Sequence, residues 1–455
     1  MSGISIYEFD VLIPTTSAAS PSEELHTIPA VVYEWLERQC LLASNDNRPA
    51  WLRLTQRRGH RAVQVTSFVG VIRAPDGYQL EVLPKVGKEI GAGALKARQL
   101  LIEMLCCLQT FRHLRMDPAK LAAARMPLLD IFIGEFLSAV GHVVKRGLRS
   151  HYTTEQGNLF ALRGKLVMAS HLRQNLYRAD RFFTEHDEFS IDRPENRLLH
   201  TALQCALKLT TSQAHQQLAR ELQFVFAEVP ISIQPNLDFQ RVRLDRGMGY
   251  YEEALAWSKL ILDQQSPVTG HGGNTAPSLL FPMESVFEAF VAKHLAMQLT
   301  RPLHLKSQAR SHHLVRHREQ NWFCLKPDLL IKNAQTALLV LDTKWKLLDG
   351  QKANGAKKYG LAQSDFYQLQ AYGQSYLNGV GDVVLIYPRT EAFEQPLPVF
   401  EFPRTKGLRL WVLPFCLTSR QLLIPGNVLF KTMFKDACEH LNSSIGNDQH
   451  QPTCP

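Results

Sequence analysis

One segment limits the fold more than any other: Ala337-Leu-Leu-Val-Leu341 runs straight into Asp342-Thr-Lys344. The apolar run reads as a buried strand, which needs a sheet to pair with and helices to cover it. Residues two apart on a strand share a face, so Asp342 and Lys344 project together from its end. The stretch before it, Leu325-Lys-Pro-Asp-Leu-Leu-Ile331, puts Asp328 at the start of a neighbouring strand, directly after a proline. A turn over Lys332-Asn-Ala-Gln335 joins the two runs. A short hairpin of this kind brings the Asp328 and Asp342 carboxylates to a common site.

Carboxylates at close range repel each other, and a divalent cation resolves the repulsion. Mg²⁺ prefers carboxylate, carbonyl and water oxygens, and Mn²⁺ accepts a similar set. Such an ion polarises a phosphodiester and lowers the pKa of a coordinated water. Lys344 then orients that water or offsets charge in the transition state. The expectation from these residues is metal-dependent phosphodiester hydrolysis, with Asp328 and Asp342 as metal ligands.

The context suits that strand. A helix over about 282–299, three strand-like runs, a helix over about 364–377 and the strand Asp382-Val-Val-Leu-Ile-Tyr387 follow in an α/β order. The chain as a whole reads as an α+β multidomain protein. Residues 1–90 form a β-rich N-terminal domain, with alternating runs such as Trp51-Leu-Arg-Leu54 and Ala62-Val-Gln-Val65, and a turn at Pro75-Asp-Gly77. Residues 91–265 form a mainly helical middle region, with helices expected over Pro127–Lys145, Pro194–Leu209, Gln213–Phe226 and Tyr250–Leu262. A polar strand-like stretch there, His151–Met168, is expected to protrude as a hairpin. Residues 266–280, rich in Gly, Pro, Ser and Thr, read as a linker; 281–440 form the α/β unit, and 441–455 a disordered tail.

Composition narrows the partners. At 45% hydrophobic and 20% charged, the 455-residue chain is that of a soluble globular protein. No apolar run approaches the roughly 20 residues that cross a bilayer. The opening residues MSGISIYEFD lack a basic head and an apolar core, so no secretory signal is expected. The eight cysteines include no C-x-x-C pair, which points to a reduced, cytoplasmic protein without structural zinc. A formal net charge of +9 favours a polyanion such as DNA.

The spacing P-D-x13-D-x-K, in its order of helix, strand, P-D strand, D-x-K strand and helix, resembles the PD-(D/E)xK nuclease superfamily. That resemblance implies a restriction-endonuclease-like fold for 281–440 and a catalytic Lys344. In this superfamily a glutamate from the preceding helix completes the metal shell. Phe281-Pro-Met-Glu-Ser-Val-Phe-Glu-Ala-Phe-Val291 carries Glu284 and Glu288 one turn apart, and Glu288 is the candidate. Glu284 is expected only to favour the helix N-terminus. Gln368-Leu-Gln-Ala-Tyr372 resembles the Q-x-x-x-Y element of one branch, where the glutamine holds the lysine or a phosphate. Tyr372, Phe366 and Trp345 are expected in the core, and His312, His313 and His317 as solvated or DNA-facing rather than metal-bound.

A second resemblance covers most of residues 1–415. Val69-Gly-Val-Ile72, Leu80-Glu-Val-Leu-Pro-Lys85, Leu162-Arg-Gly-Lys-Leu166 and His186-Asp-Glu-Phe-Ser-Ile-Asp-Arg-Pro-Glu-Asn-Arg-Leu-Leu199 are similar to McrC-type proteins. Asp342-Thr-Lys-Trp-Lys346 is similar to the nuclease part of the same family. Its members are nuclease subunits of 5-methylcytosine-directed restriction systems, working with a separate AAA+ GTPase ring that reads the modified base. The resemblance implies docking of the N-terminal part in that ring and stimulation of its hydrolysis. In keeping with this, the chain has no G-x-x-x-x-G-K-[ST] nucleotide loop: Gly87-Lys88 and Gly164-Lys165 lack its upstream glycine. Arg163 and Lys165, on the expected hairpin, are candidates for contacting the ring. The tail after about Leu417 departs from the family's length. Two other readings stay open: an exonuclease-type repair nuclease, which the Q-x-x-x-Y element motivates, and a non-catalytic activator of an AAA+ ring.

Overall fold

The structure is a computed structural model. It describes all residues except 1–2, 16–23, 44–49, 58, 87–92, 109–126, 263–277, 335, 354–356, 426–431 and 435–455. The expected tail at 441–455 lies outside the described residues, as does most of the expected linker.

The N-terminal part holds two four-stranded sheets. The first orders β1 (Gly3–Tyr7), β7 (Gln79–Leu83), β6 (Phe68–Arg73) and β11 (Ser278–Pro282). The second orders β3 (Leu25–Ile28), β2 (Val11–Pro14), β5 (His60–Val65) and β4 (Leu52–Arg57). Two features differ from the sequence reading. A helix, α1 (Ala30–Ala43), sits within the region expected to be mostly β, and it buries Val32, Tyr33, Leu36 and Cys40 at helical spacing. Residues 278–280, assigned to a linker, instead open β11, which pairs with β6 across Gly70. Gly70 has φ +131°, and a Cβ there would lie 1.9 Å from the Leu279 carbonyl oxygen, so only glycine admits the strand.

The middle region is helical as expected: α2 (Gly93–Leu105), α3 (Leu128–Arg146), then α5 (Pro194–Leu209), α6 (Gln213–Val225), α7 (Pro235–Arg241) and α8 (Glu252–Leu262). Proline at the first turn of α5 and the Ser212 cap of α6 account for two of the starts. Between α3 and α5 the chain forms a three-stranded sheet, not a self-contained hairpin. β8 (His151–Leu159) pairs along its length with β10 (Phe182–Ser190), and the short β9 (Lys165–Leu166) lies on the far side of β10, followed by α4 (Met168–Asn175). The strand that pairs with β8 is β10, which begins 14 residues beyond Met168, outside the stretch expected to form the hairpin. Nine residues of extended chain place the β8 tip about 30 Å from its root.

The C-terminal part is built on a seven-stranded sheet. Helix α9 (Met283–Gln298) follows β11 directly. The sheet orders β12 (Leu303–Ser307), β15 (Leu329–Asn333), β16 (Thr336–Thr343), β17 (Gly381–Pro388), β19 (Leu408–Cys416) and β18 (Phe400–Glu401), with β20 (Gln421–Leu422) beside β19. β15 and β16 are antiparallel; β16, β17 and β19 are parallel. Helix α10 (Gln363–Leu377) crosses between β16 and β17. β13 (His312–His317) and β14 (Gln320–Leu325) form a separate two-stranded ribbon.

Strand parity assigns the faces of this sheet. Leu329, Ile331, Leu339 and Leu341 join a core shared with α9, the middle helices and β6 and β7 of the N-terminal sheet. Leu330, Val340, Val383 and Leu385 join a second core under α10. Asp328, Asp342 and Lys344 share the parity of the α10 face.

Candidate active site

β16 is buried along its second half, and its last residues emerge where the sheet meets the start of α10. Asp342 is 1% exposed. Its Oδ2 pairs with the Lys344 ammonium at 2.7 Å. Asp328 stands across from it at the head of β15, its Oδ2 accepting from the Thr343 amide and hydroxyl, each at 2.8 Å. The hairpin therefore does bring these side chains together.

Lys344 is held from three sides. Besides Asp342, its ammonium donates to Gln368 Oε1 at 3.2 Å and lies 4.0 Å from Asp365 Oδ1. Gln368 donates in turn to Tyr372 Oη at 2.8 Å, and that hydroxyl donates to the Lys326 carbonyl at 3.0 Å. Residues four apart on α10 thus tie the lysine to the loop that carries Pro327 and Asp328. Tyr372 is in the core, as expected, but also carries this link.

Glu288 comes from α9, on the opposite side of the sheet, and reaches the same strand ends. Its Oε1 accepts from Gln308 Nε2 at 2.6 Å, and the Gln308 amide donates to the Asp328 carbonyl at 2.8 Å. Glu284 is exposed in the first turn of α9, away from these contacts.

The titration of the cluster reports its acidity. Burial, then the charge of Asp328, pushes the Asp342 carboxyl up; Lys344 pulls it back. Burial and then Asp328 push Glu288 up to about 7, with Asp342 adding to the rise. Burial works against the Lys344 ammonium, but Asp342, Asp365 and Asp328 outweigh it and the amine is raised. The carboxylates are thus close enough to compete for protons, and a cation relieves that competition.

Among the described residues no three carboxylate, imidazole or thiolate side chains enclose a metal position by themselves. Mg²⁺ does not require that, because it is held by one or two carboxylates with waters and substrate oxygens. The buried Asp342 carboxylate, pushed up by burial and Asp328 and only partly offset by Lys344, is the donor chemistry such an ion takes. His312, His313 and His317 lie on β13, with the His312 ring against Tyr376 at 4.4 Å and the His317 ring against Trp322 at 5.0 Å.

Three contributors were missed in the sequence. Asp365 lies one helical turn before Gln368, a spacing that could have flagged it. Gln308 sits in a loop at φ +50° and carries no sequence signal. Glu8 is the third: it is 3% exposed, and its carboxylate accepts from Trp345 Nε1 at 3.0 and 2.9 Å and from the Lys85 amide at 3.0 Å. Trp345, expected only to fill core, therefore also joins the end of the D-x-K segment to the N-terminal part.

Arg163 and Lys165 are both exposed and lie near the tip of the β8–β10 sheet. Leu162, Leu172, Leu176 and Tyr177 are also exposed there, at 55–95%.

A family model described as McrBC 5-methylcytosine restriction system component matches residues 63–388. No curated protein matches the chain. Among solved structures, a chain of the tetradecameric assembly of Thermococcus gammatolerans McrB AAA+ hexamers with bound McrC superposes with a TM-score of 0.63 at 20% identity, over 91% of this chain and 95% of that one. A chain of the Thermococcus gammatolerans McrBC complex gives a TM-score of 0.48 at 20% identity, over 65% of this chain and 87% of that one. At such identity the first likeness is one of fold.

Proposed function

Because the chain belongs to the family of McrBC 5-methylcytosine restriction system components, we propose that it is the nuclease subunit of such a system. In this reading residues 281–440 are a PD-(D/E)xK domain that hydrolyses DNA phosphodiesters with Mg²⁺, and an AAA+ GTPase ring is its partner. One observation carries it: Asp328, Asp342 and Lys344 share one sheet face, with the buried Asp342 carboxylate set beside Asp328 and paired to the Lys344 ammonium.

Asp328 and Asp342 would hold the ion, with Glu288 completing the set from α9. Bound there, it would supply Lewis-acid polarisation of the phosphodiester and a more acidic water. The protein's own residues do the remaining work. Thr343 fixes one Asp328 oxygen through its amide and hydroxyl, so that carboxylate is preorganised. Gln368 and Asp365 fix Lys344 in its charged form next to the carboxylates, where it offsets negative charge gathering on the scissile phosphate. Burial and Asp328 push the metal-free Glu288 carboxyl up to about 7, so taking up the ion would release a proton and be favoured as pH rises through neutrality.

The partnership rests on a second set of residues. The similar structure contains McrC bound to McrB AAA+ hexamers. The β8–β10 sheet reaches about 30 Å from the helical region, and its tip combines exposed apolar side chains with Arg163 and Lys165. Exposed apolar patches of this kind mark interaction sites, and this tip is the element we assign to ring docking. A purely activating, non-catalytic role draws on the same tip but leaves the carboxylate cluster without purpose.

The test is a cleavage assay on 5-methylcytosine DNA with the ring partner, GTP and Mg²⁺. Asp342→Ala should abolish cleavage while GTP hydrolysis by the ring remains stimulated. Full cleavage by Asp342→Ala would exclude this site, and undiminished ring stimulation by Arg163→Ala/Lys165→Ala would exclude the docking assignment.

A further inference from the structure

The ribbon β13–β14 plays no part in the site as described, and its surface is not that of an element built only to fold. Both strands are exposed over most of their length, and Leu314, Val315, Trp322 and Phe323 are 45–68% exposed. A lone two-stranded ribbon is at best marginal in water. Among the described residues this one is anchored at its root. Tyr376 Oη lies 3.3 Å from the Ala309 carbonyl and 3.1 Å from that of Leu325, and the His312 ring packs on Tyr376. The anchoring is shared with the candidate site. Gln308, just before the ribbon, bonds to Asp328 and Glu288, and β14 leads through Lys326 and Pro327 into Asp328.

The charge of the ribbon is one-sided. Between Arg310 and Leu325, Arg310, Arg316 and Arg318 are set against a single acid, Glu319. Among the described residues none of these arginines forms an ion pair. Unpaired guanidinium groups beside exposed aromatic rings match a polyanion that also offers flat apolar edges. The major groove of duplex DNA is wide enough to admit a two-stranded β-ribbon.

We infer that β13–β14 is a duplex-DNA contact, laid in the groove beside the scissile phosphate. Arg316 and Arg318 neutralise backbone phosphates, and Trp322 and Phe323 seat against sugars and base edges. The inference rests on the nuclease reading for its position, because the ribbon root and the carboxylate cluster are one structure. A protein partner is the competing occupant. The unpaired arginines and the direct connection to Asp328 favour DNA.

The experiment measures binding of the full-length chain to a labelled duplex by fluorescence anisotropy, in EDTA and over a range of salt. Arg316→Ala/Arg318→Ala should weaken binding and lower the slope of log K against log salt by about 2. Trp322→Ala/Phe323→Ala should weaken binding roughly tenfold without changing that slope. Both variants should cleave less with the ring partner and stimulate its GTP hydrolysis as the unsubstituted chain does. Unchanged binding by both variants, or no binding by the unsubstituted chain at low salt, overturns the inference. So does loss of ring stimulation with DNA binding intact, which would give the ribbon to the protein partner. If Asp342→Ala cleaves fully while ribbon variants still lose DNA binding, the nuclease reading fails and the ribbon contact survives.

Discussion

Lys344 stands among more acidic neighbours than any other amine of the site, and its role follows from them. With Asp342 at 2.7 Å, Asp365 at 4.0 Å and the Gln368 carbonyl oxygen at 3.2 Å, its ammonium is held charged and in place despite burial. A fixed point charge in a half-buried site is worth more to a developing anion than the same charge in water. Lys344→Ala should therefore lower single-turnover cleavage by about 10²–10³-fold. Lys344→Arg should not restore it, since a planar fork cannot occupy the place of a compact ammonium. Gln368→Ala removes one positioning hydrogen bond, typically worth about 1 kcal/mol, and should cost roughly fivefold with the lysine still charged. Equal losses for the two alanine variants would mean that the glutamine touches the reacting phosphate rather than the lysine. Removing Mg²⁺ with EDTA should stop cleavage in the unsubstituted protein while DNA binding persists; metal-independent cleavage would contradict the roles given to Asp328 and Asp342.

Among the elements, the β8–β10 sheet shows why a sequence motif need not be a chemical site. In the run His186–Leu199, Asn196 donates to the carbonyls of Arg149 and Ile191 at 2.9 and 2.8 Å and accepts from Tyr251 Oη at 2.8 Å. Arg193 pairs with the buried Glu195, and Arg197 with Asp192. These residues weld the sheet's root to α5 and the helical core. Gly164 does the matching job near the tip. It has φ +73°, and a Cβ would fall 2.3 Å from the Glu185 carbonyl oxygen. Gly164→Ala should thus detach β9 and abolish stimulation of ring hydrolysis, while the main melting transition of the chain moves little. Normal stimulation by that variant would show that the tip does not engage the ring. The same elements show what sequence can and cannot report. The D-x-K strand, the P-D turn and the Q-x-x-x-Y helix were legible because their periodicity and spacing are local, and the structure brings Asp328, Asp342, Lys344 and Gln368 together. The partner of β8 was not, because in Phe182–Ser190 the polar run Thr184–Glu188 leaves no alternation to mark a strand. Helix α1 was readable from Val32, Leu36 and Cys40, but its β-branched and aromatic residues masked the helical period. Gln308 and Glu8 act through tertiary contacts alone, and nothing in their neighbourhood of sequence announces them.

At the scale of the whole molecule, Glu8 connects the two ends of the chain. It is buried between the N-terminal sheet and the end of the D-x-K segment, beneath Trp345, whose ring packs against Phe287 of α9 at 5.2 Å. Burial pushes the Glu8 carboxyl up to about 7, against the opposing pull of Lys85 and of its hydrogen bonds to the Lys85 amide and Trp345. A folded pKa above the unfolded value of 4.5 fixes the sign of the linkage. The contribution of Glu8 to stability is fully present below about pH 4.5 and is lost as pH rises through about 7. Glu8→Gln keeps an acceptor for the indole N–H but has nothing to ionise. Its melting temperature should therefore fall less than that of the unsubstituted chain between pH 5 and pH 8. Trp345→Phe should do the reverse. It keeps the ring but removes a donor that favours the ionised carboxylate, so the fall with pH should steepen. Superimposable pH profiles for all three proteins would show that Glu8 is not buried as an acid at this junction. Opposite changes of slope would show that Trp345, the residue after Lys344, is tied to the N-terminal sheet through the Glu8 carboxyl.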